Sequence, residues 1–136
     1  MSRENAEIVR RLYDAAAQRD TPAVLALYSP DVEFDYSRGP GADMLGHSIY
    51  RGHDGLRGFF RDWSEAFDHF RSDCAELIDA GDSVVSVEVV NARGRASGAT
   101  VELNQSGVWT IRDGKVIRVV WFSSRDEALE AAQLGN

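Results

Sequence analysis

Glu88 sits among valines in Ser83-Val84-Val85-Ser86-Val87-Glu88-Val89-Val90-Asn91. Burial of that carboxylate would raise its pKa into the range of a general base at neutral pH. The alternation of Val85, Val87 and Val89 reads as the core face of a strand, which would put Ser86 and Glu88 outside. Gln105, Gly107 and Trp109 share one parity of a later strand. A buried amide there needs partners or a ligand. A glycine inside a strand marks a bulge, or a place where something approaches the backbone closely; on the second reading the missing side chain deepens a slot beside Trp109. His47 and His53 lie in or beside a glycine-rich loop, and His69 reads as the end of a helix, favourable to its dipole. No pair of histidines or acids has ligand spacing, so no metal site is expected. Cys74 lies between Asp73 and Glu76, acids that disfavour a thiolate, so it reads as structural.

These residues must be positioned by helices that come first and strands that follow. Ser2 can cap a helix running to Arg19, with Ile8, Val9, Leu12, Tyr13 and Ala16 as its apolar stripe. Thr21-Pro22 reads as a cap with proline at the first helical position, opening a short helix to Tyr28. Val32-Glu33-Phe34-Asp35-Tyr36 alternates as a strand with Val32, Phe34 and Tyr36 inward. The stretch from Ser37 to Ile49, with Gly39-Pro40-Gly41 and Gly46, is either a lid over a pocket or simply mobile. Leu56, Phe59, Phe60, Trp63 and Phe67 form the stripe of a third helix, and Trp63 is large enough to serve both core and pocket. Strands are expected from Phe70 to Ile78, Ser83 to Asn91, Thr100 to Arg112 and Lys115 to Ser123. The last two are joined by Asp113-Gly114, a strong hairpin signal. A last helix opens at Ser124, runs through Leu134 and is capped by Gly135. The final strand is apolar on both faces, with Trp121 opposed to Val120 and Phe122, so both faces must be covered.

The 136 residues fit one domain. A net charge of −7 argues against nucleic acid or an anionic membrane as partner, because phosphate binding needs a basic patch. With no membrane-length apolar run, no signal segment and a lone cysteine, a reducing cytoplasm is the expected compartment.

Gln18-Arg19-Asp20, Leu27-Tyr28-Ser29-Pro30-Asp31-Val32, Tyr50-Arg51-Gly52 and Trp109-Thr110-Ile111-Arg112-Asp113-Gly114-Lys115 together resemble the SnoaL-like proteins. These belong to the superfamily of nuclear transport factor 2 and ketosteroid isomerase. The resemblance covers residues 1–136 as a single domain. It implies an α+β fold, a cone-shaped curved antiparallel sheet wrapped around N-terminal helices. It further implies a deep pocket between sheet and helices, and a homodimer through the convex sheet face. The isomerases' helix-one tyrosine falls on Leu12, with Tyr13 one place off and directed elsewhere. Their general-base aspartate falls on Tyr36, while Asp35 has the wrong parity. Their oxyanion-hole aspartate, or the cyclases' histidine, falls on Gly107, and the cyclases' late aspartate falls near Ser123 or Ser124. All of these positions depart from the pattern, so no catalytic residue is assigned. By the same match Gln105, Gly107 and Trp109 point inward, and matching the turn at Gly94 turns Glu88 inward, against the valine alternation.

The expected ligand-binding set is therefore Tyr36, Trp63, Glu88, Gln105, Gly107, Trp109 and Trp121, with no cofactor. Its aromatic content suits a small, flat, largely apolar molecule, polycyclic ones included. Three readings stay open: a binder of such a molecule, which the sequence slightly favours; a cofactor-independent isomerase, cyclase, lyase or hydrolase; and a dimeric interaction module with a vestigial pocket. An inward Glu88 would favour the enzyme, and a pocket filled by side chains would favour the module.

Overall fold

The structure is a computed structural model that describes residues 2–45 and 47–134, with Ser2 and Leu134 as backbone only. The expected roles of the Ser2 side chain, Gly46 and Gly135 lie outside the described residues. Helix α1 (Ser2–Ala17) buries Val9 and Leu12, the middle of its apolar stripe. Helix α2 (Thr21–Ala26) is capped one residue earlier than expected: the Asp20 carboxylate accepts from the Ala23 N–H at 3.2 Å. Strand β1 (Tyr28–Asp35) starts at Tyr28 rather than Val32, with a register irregularity between Tyr28 and Glu33.

Short strand β2 (Ile49–Arg51) leads into helix α3 (Gly52–Ala66). The stripe was expected to end on Phe67, but Phe67 is extended and opens strand β3 (Phe67–Asp79), fully buried. His69 therefore lies within β3 rather than at a helix end, in the left-handed region (φ 50°) where the pairing slips between Asp68 and Arg71. Strands β4 (Ser83–Gly94), β5 (Thr100–Arg112) and β6 (Lys115–Phe122) complete an antiparallel meander with β3. Asp113 and Gly114, at φ 53° and 76°, make the left-handed two-residue turn that matches strand twist.

One curved, open six-stranded sheet results, in the order β2-β1-β6-β5-β4-β3. Every pairing is antiparallel except β1 beside β6, a parallel junction made possible because α3 and the meander intervene. The concave face packs Val32, Phe34, Val84, Val90, Trp109, Val119 and Trp121 against α1, α2 and α3.

The other face has its own cover. Helix α4 (Arg125–Leu134) lays Ala128 and Ala132 on Val85 and Phe122. Ser124 caps it: the Ser124 hydroxyl accepts from the Glu127 N–H at 3.1 Å and donates to the Glu127 carboxylate at 3.1 Å. Phe122, expected to need a partner chain, is thus covered by the chain's own last helix. No helix of the described residues is long and apolar enough to cross a membrane.

Candidate functional site

Strands β4 and β5 set three cross-strand pairs in line: Glu88 opposite Gln105, Ser86 opposite Gly107, and Val84 opposite Trp109. All six face the cone interior, and all are buried. The alternation of Val85, Val87 and Val89 therefore marked the outer face of β4. It misleads because α4 covers that face too, which makes β4 apolar at both parities. The parity taken from the Gly94 turn holds.

Glu88 is 3% exposed and is held by donors from several elements. Tyr13 on α1 donates its hydroxyl to Glu88 Oε1 and lies 3.0 Å from Ser86 Oγ. Tyr13, expected to point elsewhere, is thus turned into the cone and is the residue that sequence matching missed. Its signal was only the adjacency to Leu12, and one helical position is a rotation of about 100°. Gln105 Nε2 donates to Glu88 Oε2 at 3.1 Å. Tyr36 donates its hydroxyl to Gln105 Oε1 at 2.5 Å, which fixes the amide with its NH2 towards Glu88. Trp109 Nε1 donates to Ser86 Oγ at 2.8 Å.

Desolvation dominates the electrostatics. It pushes the Glu88 carboxyl up to about 7, against the pull of its bonds from Tyr13 and Gln105. Burial, and then the nearby Glu88 charge, hold the Tyr13 and Tyr28 hydroxyls well above the usual range. Cys74, paired opposite Glu88, is raised first by burial.

The aromatic residues expected to line a slot pack against one another. Tyr36, Trp63, Trp109 and Trp121 are all buried, with the Trp109 and Trp121 rings edge to face at 5.4 Å between centroids. A Cβ on Gly107 would lie 2.9 Å from Trp109 Nε1, 3.1 Å from Trp121 Cζ3 and 3.2 Å from Ser86 Oγ. Gly107 thus permits close approach of its own neighbours and does not deepen an open slot. Trp121 Nε1–H is buried without an acceptor among the described residues. Two surface depressions, of about 290 Å³ beside His69 and Arg93 and about 240 Å³ beside His47 and Asp62, are lined by neither Glu88 nor Gln105. His53 bonds the Tyr28 carbonyl through Nε2 at 2.9 Å, a structural tie. Among the described residues no three His, Cys, Asp or Glu are grouped to hold a metal ion.

A curved, open six-stranded sheet packed on helices is the architecture of the nuclear transport factor 2-like class. The SnoaL-like domain family matches residues 9–119, and the chain belongs to that family. It is similar to a nuclear transport factor 2-like protein of unknown function from Burkholderia pseudomallei K96243, at 25% identity over 93% of this chain and 95% of that one, with a TM-score of 0.78. TerC, crystallised with polyporic acid, is 27% identical over 93% of this chain and 98% of its own, with a TM-score of 0.77. A protein from Jannaschia sp. CCS1, provisionally assigned as a SnoaL-like polyketide cyclase, shares the fold at 19% identity over 96% and 92%, with a TM-score of 0.73. No curated protein matches the chain.

Proposed function

We propose that the chain takes a small, largely apolar molecule into the cone and moves a proton on it without a cofactor, with Glu88 as the proton carrier. The observation that carries this reading is the inward Glu88, titrating at about 7 and wired to Tyr13 and Gln105. A base poised near working pH is both deprotonated often enough to accept and acidic enough to return the proton. The chemistry that fits is enolisation. Glu88 takes a proton from a carbon beside a carbonyl, the C–H electron pair becomes a C=C bond as the carbonyl π pair moves onto oxygen, and the Glu88 carboxylic acid returns the proton to another atom of the same molecule as the oxygen pair folds back. Once Glu88 is protonated, the Tyr13 hydroxyl no longer serves it and is free to donate to the enolate oxygen. The acceptorless Trp121 N–H supports a ligand that carries an oxygen. TerC, similar to this chain at 27% identity, was crystallised with polyporic acid, which supports an organic ligand here.

The same site without turnover is a binder, and the packed aromatic interior favours the third reading, an interaction module. Half-buried Val87, Val89, Val108 and Val120 on the outer sheet face support the homodimer that the family resemblance implies. The unpaired Cys74 supports a reducing cytoplasm.

Deuterium uptake from D2O into a panel of cyclic ketones, followed by mass spectrometry, tests the enzyme reading. Uptake by the native chain that is lost in Glu88→Gln supports it. Tryptophan quenching by the panel without uptake makes the protein a binder. Neither signal leaves the module.

A further inference from the structure

Ser86 is fully buried within β4 and is met by side chains of β5 and α1. The Trp109 indole N–H donates to Ser86 Oγ at 2.8 Å, and Tyr13 Oη lies 3.0 Å from the same atom. Gly107 stands opposite Ser86 in the pairing of β4 with β5. A Cβ there would come within 2.9 Å of Trp109 Nε1 and 3.2 Å of Ser86 Oγ, pressing on both ends of that bond. The missing side chain is what lets the indole reach across to the serine. Rings hold the indole in place: the centroids of Tyr13, Tyr28 and Trp121 lie 6.2, 6.3 and 5.4 Å from its own.

The direction of these bonds follows from the protons each group owns. An indole only donates, and a carboxylate only accepts. While Glu88 is charged, the single Tyr13 proton lies on Glu88 Oε1. The contact between Tyr13 and Ser86 then carries the serine proton, with Tyr13 Oη accepting. Donation runs one way, from Trp109 to Ser86, from Ser86 to Tyr13 and from Tyr13 to Glu88. A hydroxyl that accepts one bond donates more strongly through the next.

We propose that Ser86 is a positioning residue: pinned by the Trp109 N–H, it donates to the Tyr13 hydroxyl and keeps that phenol turned to donate towards Glu88. When Glu88 takes up a proton the chain reverses. The Glu88 O–H donates to Tyr13, and Tyr13 turns onto the second lone pair of Ser86 Oγ. Only hydroxyls rotate; no further proton changes its oxygen. The Trp109 N–H then shares its acceptor with Tyr13, so the indole senses the charge of a carboxyl that it does not touch. The titratable groups facing Glu88 are Tyr13 on α1, Tyr28 and Tyr36 on β1 and Cys74 on β3, each raised first by burial. This deepens the proposed function and rests on it for one step alone: with a reacting molecule present, the phenol donates to its developing oxygen instead of turning back.

The test follows the indole 15N signal of Trp109, assigned with Trp109→Phe, beside the Glu88 carboxyl signal from about pH 5 to 9. In the native chain the two should share one midpoint. In Ser86→Ala the carboxyl should titrate higher, because Tyr13 has lost the donor behind it, and Trp109 should stop following it. A flat Trp109 signal in the native chain overturns the relay. So does a Trp109 signal that follows Glu88 as fully in Ser86→Ala as in the native chain, since it would report the field of the charge alone. A response that persists in Glu88→Gln belongs to another group, such as His53 on the Tyr28 carbonyl, and also overturns it. Should Ser86→Ala fail to fold, Tyr13→Phe cuts the chain at its middle, and continued coupling there overturns the proposal. Deuterium uptake in Ser86→Ala should slow by about tenfold, the worth of one hydrogen bond, at an unchanged half-saturating ketone concentration. Uptake at the native rate overturns the positioning role. Uptake by no chain, with the Trp109 responses as expected, removes the proposed enzyme alone.

Discussion

Replacing Glu88 by glutamine should flatten a pH dependence of stability that the native chain carries between pH 4.5 and about 7. In the fold the carboxyl titrates at about 7, against 4.5 in the free side chain, because burial disfavours the charged form. Between those values the native state holds a proton that the unfolded state has released, so stability falls as pH rises. At about 1.4 kcal/mol per tenfold, the loss is about 3 kcal/mol, complete above the folded value and absent below the unfolded one. The groups facing Glu88 do not interfere: Tyr13 and Tyr28 titrate far above this window, and Cys74 is shifted upward. Asp68, held low by Arg93, acts below it. Urea unfolding at half-unit steps, native chain against Glu88→Gln, reads the difference directly. Parallel curves for the two chains would refute a buried Glu88 titrating near neutrality.

Tyr13→Phe removes a donor to the carboxylate, so the Glu88 midpoint should move above 7 and stability at pH 8 should drop by about 1 kcal/mol, checked by titration and urea melts. An unchanged midpoint would detach Tyr13 from Glu88. Gly107→Ala puts a Cβ against Trp109, Trp121 and Ser86 and should cost about 1–3 kcal/mol in a denaturant melt. A neutral effect would mean that the slot is open after all. The half-buried valines of the outer face predict a dimer in sedimentation at micromolar concentration, and a monomer there ends that expectation.

Most of the fold was legible because its signals are local. The Asp113-Gly114 turn, the Val32-Phe34-Tyr36 alternation and the Ser124-to-Glu127 cap each depend on a few neighbouring residues, and each appears as read. The boundary between α3 and β3 slipped because Phe67 continues the helical spacing while packing as the first residue of a strand. The site was less legible. Whether Glu88 faces in or out depends on whether the outer face of β4 is covered, and α4, contributed from the far end of the chain, decides that. Tyr13 was missed because the rotation of α1 on the sheet is a tertiary quantity that sequence spacing fixes only to within a residue. The aromatics lie buried on the inner face, but how closely they pack depends on their rotamers and on the 37–45 segment beside Tyr36.

The most direct test of a neutral-range proton carrier inside the cone is the 13C carboxyl shift of Glu88 followed from pH 4 to 9 in glutamate-labelled protein, with Glu88→Gln to assign the signal. The structure predicts a midpoint at about 7. A midpoint near 4.5, the ordinary value, would place Glu88 in contact with water and contradict the site at its centre.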